Sequence, residues 1–470
     1  MTRLGLVVHG QPPELVGGTE RLVAASAASL AAAGHEVEVF SGAMEWRPEH
    51  EVVRDESGPV PVVRVHRSDL FYERWDKLDN PMVERSYRDW LDAYRPELVH
   101  VHHWARLCTG LVRVAAEHGV PAVASLHDLF ASCPRYHRVR ADDVFCETAP
   151  GVEACLNCTP RWAFQSDAEI SSSLRVFVAE LRAEVTAAAA LVAPTEGHGR
   201  RIMGWLGVDR DVTAIAPAGS SVPAPATRPL ADRRARPGDP LRVGTFGHLH
   251  PLKGVGVLVD AVARLPARDC VELHVWGEAP DEETHAALRA RAEGLPVVWH
   301  GAFSPEDLGG APLDLVVLPT LCAESYSFTL DEATALQVPV LASDLGALQD
   351  RATERVRLLS RGDADALAGA LYELAGDPDA RARMVAAPGP ATHDAAAHDA
   401  ALLAVYEQVL AAPRPVGRPR DDRLLAQREH LFGLRESGLR ELLRSEGWED
   451  VVAGLRAEVD RLRGDEQPPG

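Results

Sequence analysis

Two separate series of short apolar runs constrain this chain more than any other feature. The first has runs at 4–8, 36–40, 95–104 and 122–126, and the second at 241–246, 315–318 and 338–342. Several of the runs are followed directly by glycine, proline or histidine, and helix-length segments lie between most of them. Runs this short, alternating with helical stretches, read as buried strands of parallel sheets. Between the two series lies 217–240, rich in Pro, Ala, Gly and Ser, which reads as a linker. A chain of 470 residues is also too long for one core. The expected division is a doubly wound domain at 1–216, the linker, a second such domain at 241–391, a helix at 392–412 and a charged helical tail at 413–470. Open parallel sheets bind ligands at the carboxyl ends of their strands, so the loops there are where chemistry is expected.

Charge narrows the partners. A net charge of −20 argues against nucleic acid. No run approaches 18 apolar residues, so no transmembrane helix is expected. The N-terminal apolar run is too short for a signal segment, which makes the cytoplasm the default compartment. Arginines 64, 67, 74, 85 and 88 cluster in the first half, but acids are interleaved with them, so a solvated mixed surface is expected.

Of 49 basic residues only Lys77 and Lys253 are lysines. Where arginine serves as the generic cation, a retained lysine suggests a compact charge for phosphate. Lys253 lies in Gly247-His-Leu-His-Pro-Leu-Lys253-Gly254, after the run 241–246 and before a helix. A second strand end carries Glu324-Ser-Tyr-Ser-Phe-Thr-Leu-Asp-Glu332, with seven residues between the two glutamates. A helix is expected from near Ser327. The free amides of Ser327, Phe328, Thr329 and Leu330 would then suit a phosphate. Glu324 could accept from sugar hydroxyls, and Glu332, a turn inside the helix, could hold a ribose diol. In the first domain, Gly17-Gly18 opens an alanine-rich helix and lets the backbone approach a ligand closely. No G-x-G-x-x-G pattern is present there, which disfavours NAD. His127-Asp128 follows the run 122–126.

Together these segments, in this order and over roughly 400 residues, resemble the retaining GT-B glycosyltransferases of family 4. The resemblance implies two Rossmann-like domains facing across a cleft, with the last helix crossing back to the first domain. It implies a hexosyltransferase type of activity, from a nucleotide sugar to a hydroxyl acceptor such as a glycan, a lipid-linked sugar or a natural product. Lys253, Glu324 and His127 would be catalytic. Gly17, Gly18, His248, Ser327, Phe328, Thr329, Leu330 and Glu332 would bind the donor. The family has an arginine where His248 stands, five residues before Lys253. That departure favours the alternative of a non-catalytic sugar-nucleotide-binding or scaffold protein. No Asp-x-Asp occupies a matching position, so no catalytic metal is expected.

Two features fall outside the resemblance. Cys133-x12-Cys146-x8-Cys155-x2-Cys158 lies in an insert at 129–165 that has little regular periodicity. Some relatives carry a similar insert. Four thiolates suit structural zinc, with an iron–sulfur cluster or unligated thiols as alternatives. In the tail, Trp448, Val452, Leu455, Val459 and Leu462 recur at coiled-coil spacing, so 448–462 could self-associate or pack on its own chain. Gly433 and Gly438 are expected to weaken helix upstream.

Overall fold

The computed structural model describes residues 1–445 apart from 16, 143, 220–238 and 418–420. Most of the linker and all of 448–462 lie outside the described residues.

Eight strands form the first sheet: β1 (Arg3–Val8), β2 (Glu36–Gly42), β3 (Glu51–Asp55), β4 (Val62–His66), β5 (Leu98–Val101), β6 (Ala122–Ser125), β7 (Ala190–Ala193) and β8 (Thr213–Ala214). Their order is β3-β4-β2-β1-β5-β6-β7-β8, parallel except for β3 against β4. Six parallel strands form the second: β9 (Leu241–Phe246), β10 (Val271–Trp276), β11 (Val297–Gly301), β12 (Leu315–Leu318), β13 (Val340–Ser343) and β14 (Val356–Leu359). Their order is β11-β10-β9-β12-β13-β14. This is the GT-B architecture.

The central strands read as continuous apolar runs because both faces are covered. Leu4, Leu6 and Val8 of β1 pack with Val23, Ala27 and Leu30 of α1 (Gly18–Ala32). Val7 faces the opposite core, with Val99, Trp90 and Tyr87. The latter two belong to α2 (Pro81–Tyr94), whose start is set by the Asn80 side chain and by Pro81 at the first position. Five further helices position the cleft: α3 (Glu196–Leu206), α4 (Val255–Ala263), α5 (Phe328–Ala335), α6 (Ala347–Asp350) and α7 (Ala395–Ala411).

The domains are joined in two ways. Asp350 of α6 accepts from Thr195 at 3.1 Å and from both terminal nitrogens of Arg201 at 3.0 and 2.6 Å. α7 returns to the first domain, where Leu402, Val405, Tyr406 and Val409 enter the core beside Leu4 and Leu6. Tyr406 meets His100 Nδ1 at 2.7 Å.

The tail departs from expectation. One helix, α8 (Asp422–Ser445), runs straight through Gly433 and Gly438. Each glycine costs roughly 1 kcal/mol of helix propensity. Tertiary packing offsets this, because Leu425 and Leu443 are buried against the first domain. The arginine cluster is likewise not a solvated surface. Arg67 is fully buried against Asp69, and Arg85 pairs with Glu429. Arg428 reaches Glu84 at 2.5 Å and Asp79 at 2.7 Å. Lys77 meets Glu436 at 2.5 Å with both side chains about nine-tenths buried. One of the two lysines therefore anchors the tail rather than binding phosphate.

Candidate active site

The second-domain side of the candidate site is built from two strand ends held close by glycine. Gly254, at φ 73, sits where a Cβ would lie 1.9 Å from the Pro319 carbonyl oxygen. No other residue would let the loop after β9 touch the loop after β12. Leu321 N donates to Leu252 O at 2.7 Å across the same seam. Gly346 does the same on the other side, where a Cβ would lie 2.7 Å from Glu324 O. These approaches bring Lys253 Nζ to 2.6 Å from Glu324 Oε1. Burial alone would lower the lysine pKa, but the Glu324 charge and hydrogen bond outweigh it and raise it. Lys253 is therefore a cation at neutral pH.

Ser327 is the N-cap of α5, at φ 73 and ψ 86, a left-handed conformation that costs a non-glycine residue energy. Arg351 compensates. It donates to the carbonyls of Tyr326 at 2.9 Å and Ser327 at 3.2 Å, pairs with Asp331, and lies 4.0 Å over the Tyr326 ring. Of the four expected amide donors, Leu330 is turned inward, donating to Ser327 O at 3.2 Å. The helix start at Phe328 leaves the Phe328 and Thr329 amides facing the cleft end. Glu332 has no hydrogen-bond or ion-pair partner among the described residues. Burial, with Asp331 adjacent, pushes its carboxyl up to about 7. His248 is exposed in the Lys253 loop, its ring 6.4 Å from that of His250.

The first domain supplies the opposite wall. Gly18 approaches Phe328 across the cleft, and a Cβ there would sit 3.4 Å from the ring. A cavity of about 220 Å³ spans the gap, lined by Gly18, Thr19, His102, His127, Tyr326 and Phe328. Burial holds His127 near pKa 3, with His103 adding to the effect, so its ring is neutral. His102 Nδ1 meets His127 Nε2 at 3.0 Å.

Sequence reading missed an adjoining chain of groups. Gly17 leaves room for Glu20, whose Oε2 would be 2.5 Å from a Cβ. Glu20 Oε1 meets His9 Nε2 at 2.7 Å. The His9 ring lies 4.2 Å from that of His103, and His103 Nε2 meets Asp128 Oδ2 at 3.3 Å. Ala105 N donates to His103 Nδ1, so Nε2 carries the proton toward Asp128. His9 Nδ1 is buried without a partner. Burial and then His103 lower the His9 pKa to about 4, which leaves a neutral ring with a free lone pair. The only sequence signal was position: His9 closes β1, and Glu20 lies in the first turn of α1.

Cys133, Cys146, Cys155 and Cys158 are free thiols. Among the described residues no three His, Cys, Asp or Glu side chains are grouped so as to hold a metal. Cys133, Cys146 and Cys155 lie near enough to Arg138 to favour its charge; Arg138 is 2% exposed, donates to the carbonyls of Ser132, Cys146 and Thr148, and lies 3.7 Å over Trp205. No helix among the described residues is long and apolar enough to cross a membrane.

Residues 16–221 match the model of Glycosyltransferase Family 4, and residues 240–377 match that of Glycosyl transferases group 1. A D-inositol 3-phosphate glycosyltransferase of Nocardia farcinica is 30% identical over 396 residues, covering 78% of this chain and 79% of that protein. Among solved structures, sucrose-phosphate synthase of Thermosynechococcus elongatus superposes with a TM-score of 0.59 at 20% identity, covering 87% of this chain and all of that one. An Anabaena protein in complex with UDP gives a TM-score of 0.55 at 17% identity, covering 87% of this chain and 98% of that one.

Proposed function

The chain belongs to glycosyltransferase family 4, and on that premise we propose that it transfers a hexosyl group, with retention, from a nucleoside-diphosphate sugar to a hydroxyl acceptor. The observation that carries the donor assignment is the 2.6 Å contact between Lys253 and Glu324, at two adjoining strand ends beside the start of α5. A cation, two free amides and a hydrogen-bonding carboxylate converge where a sugar diphosphate would lie.

In this reading Lys253 and the amides of Phe328 and Thr329 stabilise charge that builds on the departing diphosphate. Glu324 orients the donor sugar through its hydroxyls while holding Lys253 charged. Glu332, unpaired and divided between its protonated and ionised forms near neutrality, donates to or accepts from the ribose hydroxyls. Neutral His127 lines the wall beside the reacting sugar. On the acceptor side the His9 ring, fixed by Glu20, backs the wall that positions the acceptor. The departing phosphate oxygen takes the acceptor proton as the glycosidic bond forms on the same face. Closure of the domains about Asp350 excludes water, a competing acceptor. UDP sugars are the first donors to try, since a protein of the same fold was solved with UDP.

The proposal includes a cytoplasmic location. It also includes a structural zinc on Cys133, Cys146, Cys155 and Cys158. Its support is the buried Arg138, which pairs with no carboxylate among the described residues and whose charge thiolates at Cys133, Cys146 and Cys155 would offset. Metal analysis of the purified chain tests this, and absence of bound zinc retires it.

The functional test is a thermal-shift panel of UDP, GDP, ADP and TDP sugars, followed by product analysis with the donor that binds. A product of inverted configuration would refute retention. No shift with any donor would refute the donor site.

A further inference from the structure

Arg67, Arg88, Arg138 and Arg381 are buried, and each donates to a carbonyl or a carboxylate. Arg106 breaks this pattern. Its side chain is only 19% exposed, yet its Nε is buried without a hydrogen-bond partner, and its terminal nitrogens have none among the described residues. Burying a guanidinium with its N–H groups unsatisfied is costly. Arg106 also holds φ 57, a left-handed conformation that costs a non-glycine residue energy and that collects at ligand sites.

Three strand ends meet at this arginine. It lies in the loop after β5, and Gly42 at the end of β2 makes room for it. A Cβ at Gly42 would lie 3.2 Å from the Arg106 Cβ and 2.9 Å from the His9 carbonyl oxygen after β1. Arg106, Glu73 and Asp128 all stand close enough to the Tyr136 hydroxyl to act on its charge, and Arg106 likewise reaches the His9 ring. Tyr136 donates to the Glu73 carbonyl at 3.2 Å. Its ring packs 5.0 Å from that of Phe130, which in turn packs on His103. Arg106 and Glu73 therefore belong to the first-domain wall that holds His9, His103 and Asp128. Glu73 Oε1 stands 3.5 Å from Arg106 Nε, an ion pair without a hydrogen bond, and the Glu73 side chain is 43% exposed.

This pair selects for one kind of ligand group. A hydroxyl accepts from a guanidinium N–H and donates its own proton to a carboxylate, so neighbouring hydroxyls of one sugar ring serve both residues. A phosphate or carboxylate group would accept from Arg106 but has no proton for Glu73. It would also be repelled by Glu73, and by Asp128 and Glu20 in the same wall. We propose that Arg106 and Glu73 are the acceptor-specificity pair, binding neighbouring hydroxyls of an uncharged sugar and rejecting phosphorylated or carboxylated ones. The inference names the acceptor class within the glycosyl-transfer reading and rests on it.

The test is saturation-transfer NMR on the full chain, with and without UDP. The probes are the methyl α-glycosides of glucose, mannose and galactose, each beside its 6-phosphate and its uronic acid. A neutral glycoside should bind, and its charged counterparts should bind about 10-fold more weakly or worse. Arg106→Met should weaken the neutral glycoside about 10-fold, the scale of losing a hydrogen bond from a charged group. UDP affinity, read by calorimetry, should hold, because Arg106 is on the first domain. Glu73→Gln keeps an acceptor oxygen and removes the charge, so it should narrow the preference for neutral over charged probes to about threefold or less. A purely structural role for Glu73 would not move that ratio. The Glu73 side chain is largely solvent-facing, so this variant keeps its fold even where Arg106→Met does not, and circular dichroism checks both. Tighter binding of a phosphate or uronic acid by the wild type overturns the proposal. So does neutral binding that survives Arg106→Met, a preference unmoved by Glu73→Gln, or the absence of binding by every neutral glycoside. Failure of UDP to bind would strike the donor site instead, and the glycoside signals without nucleotide would still decide the role of Arg106.

Discussion

Arg351 donates to the Ser327 carbonyl at 3.2 Å, and Ser327 is the residue that turns the chain into α5 at φ 73. One guanidinium therefore holds the backbone whose amides open α5 at the cleft. Arg351→Met should cost about 3–5 kcal/mol of stability, because it strands the buried Asp331 carboxylate. Arg351→Met with Asp331→Asn should recover much of that stability. Donor affinity should remain weakened, since the carbonyl clamp is still missing. Urea denaturation and UDP titration of both variants separate the two effects.

Lys253→Ala should reduce turnover on the order of 100-fold or more with the fold intact, the scale of losing one group that stabilises transition-state charge. Glu324→Gln should also lower turnover and should weaken binding of UDP-sugar more than of UDP. Steady-state kinetics and calorimetry read these out. Equal losses of affinity for UDP and for the UDP-sugar in Glu324→Gln would remove Glu324 from the sugar site.

Glu332 gives a pH signature. Its carboxyl is raised from 4.5 to about 7 by burial. Between those values the folded state binds more protons than the unfolded one, so stability falls as pH rises through the window. Glu332→Gln removes that loss and should be more stable than wild type at pH 8, by on the order of 1 kcal/mol. At pH 4 the two should be alike. Melting curves at both pH values check the sign.

His9→Gln should reduce donor hydrolysis, with water as acceptor, by roughly 100-fold, the scale of a misplaced acceptor wall. UDP affinity should not change, because His9 is on the first domain. Glu20→Gln should have a smaller effect in the same direction. A parallel loss of UDP affinity would show that His9 only shapes the glycine loop.

Much of this was legible before any coordinates. Lys253 stood out through the scarcity of lysine, and the Glu324–Glu332 spacing located the helix start within one residue. Strands β9 and β12 were readable because both faces are covered. β10 was not, since Glu272 and His274 interrupt Val-Glu-Leu-His-Val-Trp, although its burial is nearly complete. Arg351, His9 and His103 were invisible because their roles arise from contacts between segments far apart in sequence. The same reasoning explains the tail. Its glycines argued against a long helix, while the opposing term lay in ion pairs to residues more than 340 positions away.

The chain passes between the two sheets at 216–219 and again at 391–398, and these passes are stitched together. Gly219 N donates to His393 O at 2.5 Å, and His398 Nδ1 meets Ala216 O at 2.9 Å. Seen as wiring, the second sheet is a cassette spliced into the first domain, with entry and exit leads side by side. A paired lead permits swinging about one axis but resists twisting or drifting apart. It also marks where a foreign second domain could be grafted without disturbing the first.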